Sequence, residues 1–193
     1  VGASPLVHAT DYPDAYDASL LVTVPHAPHR EEIGIGNPLP FTGADVWTAY
    51  EHTWLDLAGK PEVAIVSFAV PVTSPRIVES KSVKLYLGSF AQSRYSTAAD
   101  VATRIERDLT AAAGAAVTVS LVPPSGFATL ALAELAGESI DGIATAVDRY
   151  QVDAGLLRAG PDEARETLRT ELFRSVCPVT GQPDYASISI AYA

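Results

Sequence analysis

The sequence predicts an α+β fold built from antiparallel hairpins and helices, and three stretches carry that reading. EVAIVSFAVPV (62–72) is rich in β-branched and aromatic residues with strand alternation, and it follows the turn signal Ala58-Gly59-Lys60-Pro61. TAADVATRIERDLTAAAGA begins with Thr97 and carries Asp100 three residues on, close to the capping box that opens a helix. Near the end, Ala186, Ile188 and Ile190 alternate with Tyr185, Ser187 and Ser189, so strands return after the helices and the order of elements restarts.

The elements follow in order. The first forty residues are rich in Pro, His and acidic groups and read as an ordered but irregular arm held by its aromatic and Leu residues. WTAYEHTWLDL (47–57) fits strand or helix by pattern, and its aromatics and Thr favour strand. With residues 62–72 it makes an antiparallel hairpin. After Ser74-Pro75, IVESKSVKLYLGSF enters a first helix, and Ser96 or Thr97 caps a second that stops near Gly114. AVTVSLV is a strand, giving the order β-β-α-α-β. Beyond Pro123-Pro124 the composition loosens, and residues 126–165 read as a connection with short elements. ETLRTELFRSV (166–176) then leads into CPVTGQPD (177–184), the loop of a second hairpin. The expected organisation is an arm and first unit over 1–125, a connection over 126–165, and the start of a second unit over 166–193.

Composition narrows the function classes. The 193 residues suffice for one large domain or two small ones with a real core, and 48% apolar against 19% charged residues fits a globular chain. A formal charge of −10 repels a polyanion, which leaves only a local basic patch as a route to nucleic acid. No apolar run is long enough to cross a bilayer, and the start lacks the regions of a signal peptide. A single cysteine makes no intramolecular disulfide, which suits the cytosol, and builds no Cys-rich zinc site. There is no Met, even at position 1, so a processed or trimmed N-terminus is expected.

Two clusters bear chemistry. CPVTGQPD holds the lone thiol, Cys177, and a carboxyl group, Asp184, which a hairpin loop brings together. A thiolate is a soft nucleophile, and a nearby protonated acid can protonate the negative atom that forms when it adds to a carbonyl or nitrile carbon. The same residues also fit a buried inert thiol and an Asp that completes a turn. ESKSVKLYL (79–87) gathers Glu79, Ser80, Lys81, Ser82 and Lys84 where a helix begins. A helix N-terminus offers N–H groups to an anion, Lys and Ser add phosphate donors, and Glu can take paired N–H groups from a guanine-like edge. A solvated helix start explains the same run. The four histidines (8, 26, 29, 52) lack metal-ligand spacing, and His26 and His29 read as solvent-facing loop residues. There is no Gly-rich dinucleotide fingerprint and no P-loop.

Taken in order, YDASLLVTVP, LPFTGADVWTAYEHTWLDLAGKPEVAI, VESKSVKLYLGSF and CPVTGQPD resemble the long form of the NADPH-dependent nitrile reductases of queuosine biosynthesis. These are the 7-cyano-7-deazaguanine reductases of the tunnelling-fold superfamily. The likeness covers nearly the whole chain, and the pairing of E-S-K-S-x-K-L-Y with Cys-x6-Asp is its specific part. It implies an antiparallel sheet with helices on one face, in two tandem β-β-α-α-β-β units of which the second is incomplete. It implies a cytoplasmic, homodimeric enzyme of tRNA-modification biosynthesis that reduces a nitrile to a primary amine with two NADPH and no metal. Cys177 then corresponds to the nucleophile that forms a covalent thioimide, and Asp184 to the proton donor. Val78, Glu79 and Ser80 correspond to the substrate-binding segment, and Ser80 with Lys81 to an NADPH contact. Gly88 departs from the family's usual Asn, whereas Gln92 and Arg94 agree. The family's long enzymes continue past ISIAY into two helices and two strands bearing a His-Glu pair for the substrate and an Arg-Gly pair for NADPH. The chain is therefore expected to be part of an enzyme and to lack a complete site alone.

Three other readings stand beside this one. A zinc-dependent, GTP cyclohydrolase-like enzyme would need a Cys/His metal set. A non-catalytic pterin- or purine-binding fragment would bind without turnover. A thiol peroxidase or hydrolase using Cys177 would need a His partner.

Overall fold

The strand with the clearest alternation lies at the centre of the largest sheet. The computed structural model describes residues 13, 15–129, 134–149, 153–158, 160–161, 163–176, 181 and 183–193. The chain divides into two compact units, residues 1–130 and 131–193.

In the first unit, β2 (Ala44–Leu55), β3 (Pro61–Pro71) and β5 (Thr118–Val122) form an antiparallel sheet in the order β2-β3-β5. Alternate residues of β3, Ala64, Val66, Phe68 and Val70, are buried. Helices α2 (Ser80–Gly88) and α3 (Ala98–Ala113) complete the same core with Val83, Tyr86 and Leu87 and with Val101, Ile105, Leu109 and Ala113. The helical set recurs at four-residue spacing, so one stripe of α3 is apolar. Fully burying a Val, Ile, Leu or Phe side chain contributes about 1.5–3 kcal/mol.

The helix ends follow local chemistry. Thr97 accepts from Asp100 N–H at 3.1 Å and Asp100 accepts from Thr97 N–H at 3.0 Å, so the expected capping box is present. The hydroxyls of Ser96 and Thr97 hold the Asp100 carboxyl below its ordinary range. α3 stops at Gly114, whose φ of 73° suits glycine, and a Cβ there would meet Pro75 at 2.8 Å. The Arg76 guanidinium covers the last carbonyls, donating to Ala112 O at 2.7 Å and Ala111 O at 3.1 Å.

The arm is more regular than its composition predicts. It contains β1 (Thr23–Pro25), which pairs antiparallel with β4 (Arg76–Val78), and a helix, α1 (His26–Glu32). Pro28 falls in the first turn of α1, where a missing N–H is tolerated. His26 and His29 are therefore helical, not loop residues. His26 is half-buried with Nδ1 3.0 Å from Ser74 O, while His29 is exposed as expected. Upstream, Tyr16 donates to Asp108 Oδ2 at 2.5 Å, beside Tyr86, which donates to the same oxygen at 2.9 Å. Burial and the Asp108 carboxylate raise both phenols above their ordinary range.

In the second unit, β6 (Glu138–Ser139), β7 (Glu166–Val176) and β8 (Pro183–Tyr192) form a sheet in the order β6-β7-β8. β7 and β8 are the expected antiparallel hairpin, and β6 joins β7 in parallel. The loop is shorter than the octet: β8 begins at Pro183, so Asp184 lies in a strand opposite Ser175. Among the described residues, no helix is long and apolar enough to cross a membrane.

The two hairpins share one construction. In β2–β3 the register passes from Ala49↔Val66 to His52↔Ala64, so Tyr50 and Glu51 oppose one residue. In β7–β8 it passes from Thr170↔Ile188 to Phe173↔Ala186, so Glu171 and Leu172 oppose one residue. Each hairpin closes at a proline, Leu55↔Pro61 and Val176↔Pro183. A positive-φ glycine precedes each proline by two positions, Gly59 at 91° and Gly181 at 70°. Glu62 in the first unit therefore corresponds in position to Asp184 in the second.

Candidate active site

The ligand segment of the first unit is built at the start of α2. Val78 ends β4 with its side chain 2% exposed in the core, which leaves its main chain as the part able to meet a ligand. Glu79 is the N-cap of α2. Its Oε1 accepts from Lys81 N–H at 3.0 Å and its Oε2 from Ser82 N–H at 2.8 Å.

This corrects one expectation. The N–H groups of Lys81 and Ser82 are not open to an anion, because the acidic residue before the helix is its cap. Each Glu79 oxygen still has acceptor capacity left, since a carboxylate offers about four lone-pair sites. Capping therefore aims the carboxylate without saturating it.

Ser80 and Lys84 stand one turn apart and line a groove of about 460 Å³ between α2 and β2. The β2 side supplies Trp47, Thr48, Tyr50 and Glu51. The bulge at Tyr50 and Glu51 gives the groove its β2 lip. Ser80 and Lys81 are exposed. The Lys84 cation, the hydroxyls of Ser80, Thr48 and Tyr50, and the Trp47 indole make a donor set that suits a phosphate and a flat ring together. Sequence reasoning read Trp47 only as a strand residue and did not place Thr48, Tyr50 or Glu51 near α2. The signal for them is a bulge, which a two-residue alternation does not reveal.

In the second unit, Asp184 is exposed and makes no ion pair or side-chain hydrogen bond with another described residue. Cys177 lies outside the described residues. Its neighbour Val176 pairs with Pro183, the residue before Asp184. The structure thus fixes the two strand ends that flank the thiol and places the acid on one of them. Among the described residues, no group of three or more His, Cys, Asp or Glu stands together as a metal site.

Comparison with known proteins fits this arrangement. Residues 12–121 match the family described as "Nitrile reductase, 7-cyano-7-deazaguanine-reductase N-term". Proteins named NADPH-dependent 7-cyano-7-deazaguanine reductase from Burkholderia mallei and Burkholderia thailandensis are each 53% identical over 191 residues. That from Burkholderia multivorans is 52% identical over the same length. Each alignment covers 98% of this chain and 70% of the relative. The chain belongs to the 7-cyano-7-deazaguanine nitrile reductase family.

Proposed function

We propose that this protein reduces the nitrile of 7-cyano-7-deazaguanine to the primary amine of 7-aminomethyl-7-deazaguanine, in queuosine biosynthesis. The observation that carries the reading is the 53% identity across 98% of the chain to reductases of that name. NADPH, when bound, supplies the hydrides that the nitrile carbon takes up. Ser80 and Lys81, with Lys84 one turn along the groove wall, are the residues that would hold its phosphates.

The chain's own groups do the rest. Glu79, oriented by its two capping bonds, accepts N–H groups from the guanine-like edge, with Val78 and Ser80 beside it. The Cys177 thiolate adds to the nitrile carbon. The sulfur lone pair forms the new S–C bond, one C–N π pair moves onto the nitrogen, and the nitrogen takes a proton from Asp184, giving a thioimide. The position of Asp184 supports the donor role: it follows Pro183, which pairs with Val176, the residue before Cys177.

The remaining parts of the reading concern setting. The substrate is a small purine-like molecule and not nucleic acid, in keeping with the charge of −10. A single cysteine fits a cytoplasmic enzyme. Large apolar side chains on the second unit, Leu172 at 70% and Tyr185 at 73% exposure, support a homo-oligomer, as a dimer. The test of the reaction is NADPH oxidation in the presence of the cyano base, with the amine product quantified. Two NADPH consumed per amine formed is the expected result. Oxidation that does not depend on the base would overturn the reading.

A further inference from the structure

We infer that Ser82 is a positioning residue for substrate binding, acting through Glu79 and the arm. The inference rests on the reading that Glu79 binds the cyano base. Ser82 is 0% exposed and does not line the groove between α2 and β2. Its hydroxyl sits where three chains of bonds meet. It donates to Glu79 O at 2.6 Å, with Val22 O a second acceptor at 3.3 Å, and it accepts from Val22 N–H at 3.1 Å. Glu79 N–H in turn donates to Val22 O at 2.9 Å.

Every polar group of Glu79 is therefore tied down within this node. Its N–H is held by Val22, its carbonyl by the Ser82 hydroxyl and its carboxylate by the Ser82 and Lys81 N–H groups. Among the described residues, Ser82 alone hydrogen-bonds both ends of Glu79, its N–H to the side chain and its hydroxyl to the main chain. Val22 is in turn fixed from both sides. β1 pairs with β4 through Thr23↔Val78, and upstream Asp17 N–H donates to Ser89 Oγ at 3.2 Å beside the Tyr16–Asp108 bond. The arm runs the length of α2 as a strap, and the Ser82 hydroxyl is where the strap is joined to the ligand segment. A misplacement of a binding group by even 1 Å is severe for a site that reads a rigid ring. Losing this hydroxyl should therefore weaken the base and leave the chemical step alone.

The test measures steady-state kinetics of the full chain with 7-cyano-7-deazaguanine at saturating NADPH, for Ser82→Ala, Glu79→Gln and Thr97→Ala. Thr97→Ala uncaps α3 without touching the segment, so it reports what a general loss of stability does. Ser82→Ala should raise KM for the base roughly tenfold with kcat within about threefold, the pattern of lost binding without lost transition-state contacts. Thr97→Ala should change neither. An unchanged KM in Ser82→Ala beside a raised KM in Glu79→Gln overturns the positioning role alone. An unchanged KM in Glu79→Gln overturns the substrate role of Glu79 and this inference with it. If Ser82→Ala does not fold, Ser82→Cys, with a weak donor of similar size, carries the same comparison.

Discussion

At the scale of single residues, side chains of one type stand in different settings. Asp184 stands exposed at the head of β8, and its counterpart Glu62 holds Lys60 at 2.8 Å. As proton donor, Asp184 should matter to the covalent step. Asp184→Asn should keep affinity for the cyano base within tenfold and lose about 10²–10⁴ in turnover. Near-normal turnover would reduce Asp184 to a strand residue.

His52 is the opposite case. It is 1% exposed between Trp54 and Phe90, and neither ring nitrogen has a hydrogen-bond partner among the described residues. Burial pushes its pKa down to about 4. The unfolded chain, with an ordinary value near 6.5, therefore takes up this proton first as pH falls. Stability from this group is lost between pH 6.5 and 4, by up to about 3 kcal/mol. His52→Leu should be the more stable protein, and its advantage in urea melts should widen from pH 7.5 to pH 4.5. A constant gap would show that His52 is protonated or partnered in the folded state. The sequence showed only that His52, like the other three histidines, lacks metal-ligand spacing. What distinguishes His52 is the bulge just before it, which turns it inward.

At the scale of elements, the strands and capped helices were legible and the arm was not. β3 alternates cleanly because one face packs and its neighbours pair on both sides. α3 carries its start signal in Thr97 and Asp100 and its stop in Gly114. Thr97→Ala should destabilise the fold by about 1 kcal/mol, the usual size of a lost cap, readable in a urea melt. Helix α1 escaped notice because Pro25 and Pro28 look like breakers, although a first-turn proline is compatible with a helix. The segment at Glu79 was legible as a polar helix start. That Glu79 is itself the cap was not, since Asp, Asn, Ser and Thr are the expected caps. This has a practical consequence: Glu79→Ala removes the cap and the proposed ligand contact together. It should lose both stability, by about 1 kcal/mol, and affinity for the base. Glu79→Gln keeps an acceptor for one of the two N–H groups and is the better probe of binding.

At the scale of the whole molecule, the chain repeats a hairpin whose plan outlives its sequence. No strict repeat is visible by eye, yet Gly-x-Pro-acid recurs as Gly59-Lys60-Pro61-Glu62 and Gly181-Gln182-Pro183-Asp184, with a bulge at the same distance from each turn. The restart of β-β order in the sequence was a real signal of this. The exact repeat was hidden because the stretches between the paired strands differ in length, 56–60 against 177–182, which offsets the two copies in sequence. The first unit buries its hairpin under α2 and α3, whereas the second leaves Leu172, Tyr185 and Ile190 exposed. A hairpin with that much apolar surface is marginal in water unless another surface covers it. The 193-residue polypeptide should accordingly sediment as a dimer or larger species at micromolar concentration. A monomer across that range would contradict the oligomer reading.

The account turns on the single cysteine of the sequence, Cys177, which follows the last residue of β7, Val176. Intact-protein mass spectrometry after incubation with 7-cyano-7-deazaguanine, without NADPH, tests this most directly. The full chain should gain the mass of one base, mapped to Cys177, and Cys177→Ala should gain none. An adduct of the same mass on Cys177→Ala, or substrate turnover by that variant, would contradict the assignment of Cys177 as the nucleophile.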